Sequence, residues 1–205
     1  IVIEDDIKVS NKFLYFMNTA LYKYQNNKLV AGISGYSFPI NINDPYFVRT
    51  GSCWGWATYK YIWLDFIKQR NSLDISSIKT EDKKLFNVYQ NFYESMFIQN
   101  KKAQIQSWAI DFYLYYFLQH KYFLMSGKNL VSNTGFDGTG VHKKNGNFLT
   151  DNNPILKLKE IHFPAEIDEL SSVRKKIIQL YKRGLGKANL ISKIIHKLTS
   201  VINSQ

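Results

Sequence analysis

A short apolar segment that ends in three consecutive acids is the most constraining feature of this chain. Residues 1–3 are Ile-Val-Ile, and Glu4, Asp5 and Asp6 follow at once. The β-branched residues predict the end of a buried strand, and ligands of open α/β sheets bind where strands leave the sheet. Carboxylates at that edge can hold a hard divalent cation together with a diphosphate. An ordinary solvated turn is the alternative.

Strand-like and helix-like segments alternate along residues 10–135. Apolar residues at helical spacing predict a helix from an N-cap at Ser10 to about Tyr24, and Ser107 is the expected cap of a second helix that ends near Gln119. Runs of β-branched and aromatic residues predict strands at residues 29–34, 122–125 and 129–132. Such an alternation favours an α/β layered fold.

The composition indicates one sizeable core with a basic appendage. Of the 205 residues 45% are hydrophobic and 16% aromatic, which excludes a disordered chain. No apolar run is long enough to span a bilayer. The net charge of +11 arises mainly from residue 170 onward, where eight Lys or Arg and no acid occur. We therefore divide the chain into a body, residues 1–167, and a tail, residues 168–205.

The tail predicts two basic amphipathic helices, at about residues 170–183 and 188–203, separated by Gly184 and Gly186. Their apolar faces could lie on an anionic membrane surface, or pack on the body or on a second subunit; both alternatives stay open. Nucleic acid is not an expected partner, because the aromatic residues lie in the near-neutral body and the basic residues in the tail.

Residues 51–56, Gly-Ser-Cys-Trp-Gly-Trp, predict a second functional element. Two glycines allow close backbone approach, and Trp54 and Trp56 offer flat walls on which sugar rings stack. A buried aromatic corner is the alternative for Trp54, Gly55 and Trp56. Cys53 is the single cysteine, so no internal disulfide can form and a reducing cytoplasm is expected. Free cysteine is usually a small buried residue, which we expect here rather than a nucleophile.

Two further segments contain candidate catalytic residues. Trp108 and Asp111 begin the second predicted helix, where a carboxylate could act as general base for an acceptor hydroxyl or simply favour the start of the helix. Asp137 and His142 lie in a glycine-rich stretch, residues 135–142, which is typical of a loop that folds close to a ligand. Histidine is a common metal ligand. The other three histidines are expected at the surface: His120, His162 and His196.

Five segments follow one another along the chain: VIEDDI, SGYSFP, GSCWGW, SWAID and LVSNTGFDGTGVH. Taken in this order, they resemble bacterial family 2-like sugar transferases of the GT-A fold. More distantly they are similar to the eukaryotic N-acetylglucosaminyltransferases that begin N-glycan branching, whose metal motif is also Glu-Asp-Asp. The resemblance covers about residues 1–165 and implies a Rossmann-like nucleotide-sugar transferase fold. It also implies that the nucleoside-binding half lies upstream of residue 1, so we expect an N-terminally truncated chain.

The resemblance implies roles for the acids and the histidine. Asp6 would contact a divalent metal, Mn²⁺ or Mg²⁺, and Glu4 and Asp5 would assist in donor binding. His142 would close on the metal or the diphosphate.

The resemblance also implies an acceptor wall and a catalytic base. The wall would include Trp54, Gly55, Trp56 and Trp108. Related sequences often carry the base directly after the tryptophan of SWAID, where this chain has Ala109. Asp111 or Asp137 is expected to act as the base instead, or the catalytic activity of the protein is impaired.

The predicted function is metal-dependent, inverting transfer of a sugar from a nucleotide diphosphate sugar to a hydroxyl of a glycan or lipid-linked glycan acceptor. Surface polysaccharide or lipopolysaccharide synthesis is the expected setting. A location in the cytoplasm, at the inner face of the cytoplasmic membrane, suits the basic tail at residues 170–205. The alternative is a non-catalytic or truncated remnant that acts as a folded binding domain.

Overall fold

Short runs of β-branched and aromatic residues form the strands. The computed structural model describes residues 1–135 and 161–202, with side chains through residue 186, and it has a mixed α/β fold. The strands in these residues are β1 (Ile7–Val9), β2 (Val30–Ser34), β3 (Tyr46–Val48), β4 (Trp56–Ala57), β5 (Tyr122–Met125) and β6 (Val131–Asn133). The strands predicted at residues 29–34 and 122–125 are confirmed, and the one predicted at 129–132 begins at Val131.

Four strands form a mixed sheet in the order β3-β5-β2-β4. β2 and β5 are parallel, with Ile33 opposite Leu124, and the two outer strands are antiparallel to their neighbours. Every residue of β2 and β3 is buried, so the sheet is covered on both faces. β1 and β6 form a separate antiparallel pair.

A helix with almost no exposed residue packs at the centre of the body. The α-helices in the described residues are α1 (Phe13–Tyr24), α2 (Lys60–Gln69), α3 (Lys83–Asn87), α4 (Phe92–Lys101), α5 (Trp108–Leu118) and α6 (Ser171–Ile202). In α5 the eight residues 110–117 are all buried, which is typical of a helix surrounded by protein. The predicted cap is confirmed, since the Ser107 hydroxyl accepts a hydrogen bond from the N–H of Ile110 at 3.4 Å.

The predicted cap of α1 is wrong. Lys12 occupies the N-cap position and makes no side-chain capping bond. Ser10 instead accepts from the N–H of Phe13 through its backbone carbonyl, at 3.1 Å, and its hydroxyl is buried without a partner. Local spacing identified the helix but not the turn that precedes it, because β1 ends directly before Ser10.

The prediction of a buried strand at residues 1–3 is also wrong. Ile1, Val2 and Ile3 are 48%, 45% and 45% exposed. Only Val2 pairs, through two backbone hydrogen bonds with Trp56 at 2.7 and 3.0 Å. β-branched residues indicate an extended backbone, but what covers them depends on distant parts of the chain.

The tail forms one helix, α6, and the predicted break at Gly184 and Gly186 is wrong. Its apolar residues are spaced four apart and pack against the body: Val173, Ile177, Tyr181 and Leu185. Because this stripe continues to Leu185, between the two glycines, its contacts offset the cost of about 1 kcal/mol per helical glycine. No helix among the described residues is long and apolar enough to cross a membrane.

The first half of α6 therefore supports one of the two alternatives left open for the tail, packing on the body. Ile177 and Tyr181 are fully buried against the domain, so this part of the apolar face is already covered. Arg174 fixes the helix further through a hydrogen bond to the Thr50 hydroxyl at 3.2 Å and an ion pair with Glu169 at 3.7 Å. A membrane contact stays a prediction for residues 187–202, whose side chains lie outside the described part.

A Schellman motif ends α5. The N–H of Lys121 donates to the carbonyl of Tyr116, and the N–H of His120 donates to the carbonyl of Phe117, each at 3.0 Å. His120 is exposed and has a φ of 53°, the left-handed conformation that glycine adopts most easily.

We expect His120→Gly to raise the free energy of unfolding by about 1 kcal/mol, because glycine removes the Cβ clash of the left-handed conformation. Chemical denaturation of the two proteins measures the difference. His120→Ala is the matched control: it keeps a Cβ atom and should give no gain. An equal gain from alanine would show that the conformation at residue 120 is not the cause.

Candidate functional site

The β1–β6 pair brings the carboxylate of Asp6 beside Gly135. Ile7 at the start of β1 lies opposite Asn133 at the end of β6. Beyond the pair, the backbone N–H and the hydroxyl of Thr134 both donate to the carbonyl oxygen of Asp6, at 2.8 and 3.0 Å. The acidic segment and the start of the glycine-rich stretch are therefore neighbours, although Asp6 and Thr134 are 128 residues apart in the sequence.

Gly135 leaves the space that the Asp6 carboxylate occupies. A Cβ atom built on Gly135 would lie 2.4 Å from Oδ2 of Asp6. The N–H of Gly135 donates to Oδ1 of Asn133 at 2.8 Å, and this hydrogen bond holds Gly135 close to the end of β6. A side chain at position 135 would push the Asp6 carboxylate aside, so glycine here leaves that carboxylate in its present position.

The three acids lie around a tight turn at the edge of this site. The N–H of Ile7 donates to the carbonyl of Glu4 at 3.1 Å and closes the turn. Asp5 is exposed, and Glu4 and Asp6 are half-buried. Carboxylate oxygens suit Mg²⁺ and Mn²⁺, which commonly bind one or two carboxylates together with substrate phosphates. Within residues 1–135 and 161–186, no three His, Cys, Asp or Glu side chains are grouped so that they could hold a metal by themselves.

Asp137 and His142 lie outside the described residues. They follow Gly135 by two and seven positions in the sequence. Their predicted roles therefore depend on the sequence alone, and only the start of their segment, at Thr134 and Gly135, is located beside the acids.

A cleft of about 680 Å³ is lined by tryptophans and by Glu4, the first of the three acids. Its walls include Trp56, Trp63 and Trp108, and the charged side chains of its lining are those of Glu4, Lys60 and Arg70. Trp56 is only 1% exposed and stacks on Trp108, with ring centroids 5.2 Å apart and an interplanar angle of 24°. Trp56 is therefore a core residue that forms the floor of the cleft, whereas Trp108 is partly exposed.

Trp54 faces a second, smaller cavity of about 220 Å³. Tyr36 meets the Trp54 ring edge-on, at a centroid distance of 5.0 Å. Ala109, the position where related sequences often carry the base, also lines this cavity. The tryptophans predicted to form one acceptor wall thus line two different cavities.

Gly55 allows these tryptophan segments to pack on β6. It has a φ of +55°, and a Cβ atom at this position would lie 2.7 Å from Cγ1 of Val131 and 3.0 Å from Cε2 of Phe13. Its carbonyl accepts a hydrogen bond from the N–H of Gly35 at 2.8 Å. The close backbone approach predicted for Gly55 is confirmed, and the side chains that approach it, Val131 and Phe13, belong to the protein core.

Cys53 lines the smaller cavity, but its thiol is not activated. Burial, and secondarily the negative charge of Glu4, raise the pKa of the Cys53 thiol well above its ordinary value. The thiolate is the nucleophilic form, so a raised pKa keeps this residue unreactive at neutral pH. This agrees with the expectation that Cys53 is not a nucleophile, although the residue is half-buried and not fully buried as expected.

Asp111 is a buried carboxylate, with both oxygens engaged. Oδ2 accepts from Nε of Arg70 at 2.8 Å, and Oδ1 accepts from Nδ2 of Asn100 at 3.0 Å and lies 3.8 Å from Nζ of Lys101. Its side chain is 4% exposed. These contacts join the start of α5 to the ends of α2 and α4. Asp111 therefore has a structural role, and it could accept a proton from a substrate only after Arg70 or Asn100 moved.

Sequence reasoning missed Arg70 and the tyrosines of the smaller cavity. Arg70 follows α2 in a short 3₁₀ turn and gives no local signal of its partnership with Asp111. Tyr93 and Tyr181 share a hydrogen bond between their hydroxyls at 2.5 Å and line the cavity from α4 and α6. The high aromatic content was a signal of such a cluster, but it does not identify its members.

Comparisons with protein-family models, with curated proteins and with solved structures found no match to this chain. The fold and the geometry of the site therefore provide the evidence on function.

We expect Asp111→Ala to lower the free energy of unfolding by about 2–3 kcal/mol, because it leaves Arg70 and Asn100 without their buried acceptor. Urea denaturation monitored by tryptophan fluorescence measures the change. Glu81→Ala removes an exposed acid and serves as the control, with an expected change near zero. Equal stability of the Asp111 variant and the parent would contradict the structural role.

Proposed function

We propose that this chain is part of a GT-A glycosyltransferase that moves a sugar from a nucleotide diphosphate sugar to an acceptor hydroxyl with inversion. The observation that carries the proposal is the position of Asp6. Its carboxylate lies against Gly135, and Glu4, two residues before it in the sequence, lines a cleft walled by tryptophan. Carboxylates that can bind a metal diphosphate, next to aromatic walls that can stack on a sugar, are the two elements that such a transfer requires.

In this proposal Asp6 holds Mn²⁺ or Mg²⁺, with Glu4 and Asp5 assisting in donor binding and His142 closing on the metal. The cation would neutralise charge on the departing diphosphate. Asp6 supports this role because it is half-buried and its position is fixed by the hydrogen bonds of Thr134 to its carbonyl.

The proposed general base is Asp137 or Asp111. The contacts of Asp111 favour Asp137, because both oxygens of Asp111 already bind protein donors. Asp137 also follows Gly135 closely in the sequence, and Gly135 touches Asp6. A base within reach of the acceptor hydroxyl is the geometric requirement for this role.

The proposed acceptor is a glycan or lipid-linked glycan of a surface polysaccharide or lipopolysaccharide. Trp108 is partly exposed in the larger cleft and would contact it, whereas Trp56 is buried beneath. Trp54 would shape the smaller cavity, and Gly55 would hold the Trp54 segment close to the core. We place the reaction in the cytoplasm at the inner membrane face, where a basic tail would be attracted to anionic lipids.

The test is release of nucleoside diphosphate by the full-length protein, with several nucleotide sugars, in Mn²⁺ and then in chelator. We expect slow release from one donor that chelator abolishes, and Asp6→Ala should abolish it in Mn²⁺ as well. Glu166→Ala, which removes an exposed acid, should leave the rate unchanged. A folded Asp6→Ala protein with an unchanged rate would exclude the metal role of Asp6.

A second variant tests the geometry of the same site. Gly135→Ala should lower Mn²⁺ affinity by about tenfold or more, because the new Cβ displaces the carboxylate of Asp6. Gly186→Ala is the matched control, since a Cβ there meets nothing within 4 Å. Absence of release from every donor by the folded protein would favour the alternative, a non-catalytic binding domain.

A further inference from the structure

A groove of about 540 Å³ lies along α4 and the connections that flank it, and none of its lining residues is charged. We call it the amide groove, after the side chains that line it: Gln90, Asn91, Gln99 and Gln106, with the aromatic rings of Tyr89 and Phe92. A lining without charged side chains offers an anionic ligand no cationic partner, so the groove suits an uncharged ligand.

The lining matches the chemistry of a neutral sugar. Each primary amide offers two donors and one acceptor oxygen, which is the mixture that sugar hydroxyls require. Aromatic faces supply the apolar contact for the ring carbons. The groove is built from α4, α6 and the connections that flank α4, so it presents no strand edge with which an extended peptide could pair.

The backbone at the rim of the groove is held in strained conformations. Val88 has a φ of 60° and a ψ of −50°, and Gln90 has a φ of 50°. A positive φ is a genuine outlier for a β-branched residue, and strain of this kind clusters at binding sites. Val88 is buried, and the two residues that follow it, Tyr89 and Gln90, line the groove.

The groove borders the cavity that Trp54 lines. Met96 and Ser107 line both of them. α6 supplies a wall residue to each, Leu185 in the groove and Tyr181 in the cavity. A ligand in the groove can therefore extend toward Trp54 and Ala109.

We infer that the amide groove binds an uncharged saccharide unit of the acceptor, remote from the reacting hydroxyl. The assignment of this unit to the acceptor rests on the proposed function, whereas the binding of a neutral saccharide does not. The helix α6 forms part of the site, so the tail contributes to acceptor recognition through Leu185.

A glycan array of neutral and acidic oligosaccharides, probed with the fluorescently labelled full chain in chelator and without donor, tests this inference. We expect retention of neutral glycans that persists when the salt concentration is raised, because uncharged contacts are not screened. For the glycan with the strongest signal, Gln106→Ala and Gln90→Ala should each lower the affinity by about tenfold, the effect of losing one or two hydrogen bonds. Gln104→Ala, an exposed glutamine outside the groove, is the matched control and should bind like the parent.

Absence of neutral-glycan binding by the folded chain would overturn the inference. So would equal binding by the Gln106→Ala and Gln104→Ala variants, or retention of acidic glycans alone that salt removes, which would assign the signal to the basic tail. Preferential binding of a peptide library would assign the groove to a different ligand class. The array experiment contains neither donor nor metal. If the Asp6→Ala variant kept an unchanged rate of nucleoside diphosphate release, neutral-glycan binding would therefore still stand, and the groove would be a saccharide-binding site in its own right.

Discussion

The pairing of β1 with β6 is the contact on which the candidate site depends. Each strand has three residues, and such a short isolated pair is not stable by itself in water. Burial of Ile7 and Val131 holds it in place, with Val131 packed on the backbone of Gly35 and Gly55. These glycines let three segments of the chain approach closely, and Asp6 and Gly135 meet at the end of the pair as a result.

The aromatic core gives this small pair a rigid base. α5 lies at its centre, and Phe112 contacts rings from α2, β4 and β5, among them Phe66, Trp56 and Phe123. The ion pair of Asp111 with Arg70 fixes the start of α5 to the end of α2. The larger cleft lies between these elements, so the packing that stabilises the fold also sets the distance between the tryptophan walls and Glu4.

Local sequence patterns predicted the positions of helices and strands better than they predicted how these elements pack. The strands at β2 and β5 and the Ser107 cap of α5 follow from neighbouring residues, and these predictions are confirmed. The predictions that residues 1–3 are buried and that the tail helix breaks at Gly184 were wrong, because exposure and helix continuity depend on long-range packing. Within the site, the sequence identified Asp6 and the glycine-rich stretch separately. It could not identify Arg70 as the partner of Asp111, since nothing local connects residues on different helices.

The most direct test of this account is paramagnetic relaxation by Mn²⁺ in an amide NMR spectrum of the chain. If Asp6 and the start of the glycine-rich stretch form one cation site, Mn²⁺ should broaden the signals of residues 4–7 and 133–135 together, at concentrations that leave the surface acid Glu166 unaffected. Gly135→Ala should weaken both effects in parallel. Broadening of residues 4–7 alone, or of surface acids without preference, would contradict a site formed by the β1–β6 pair.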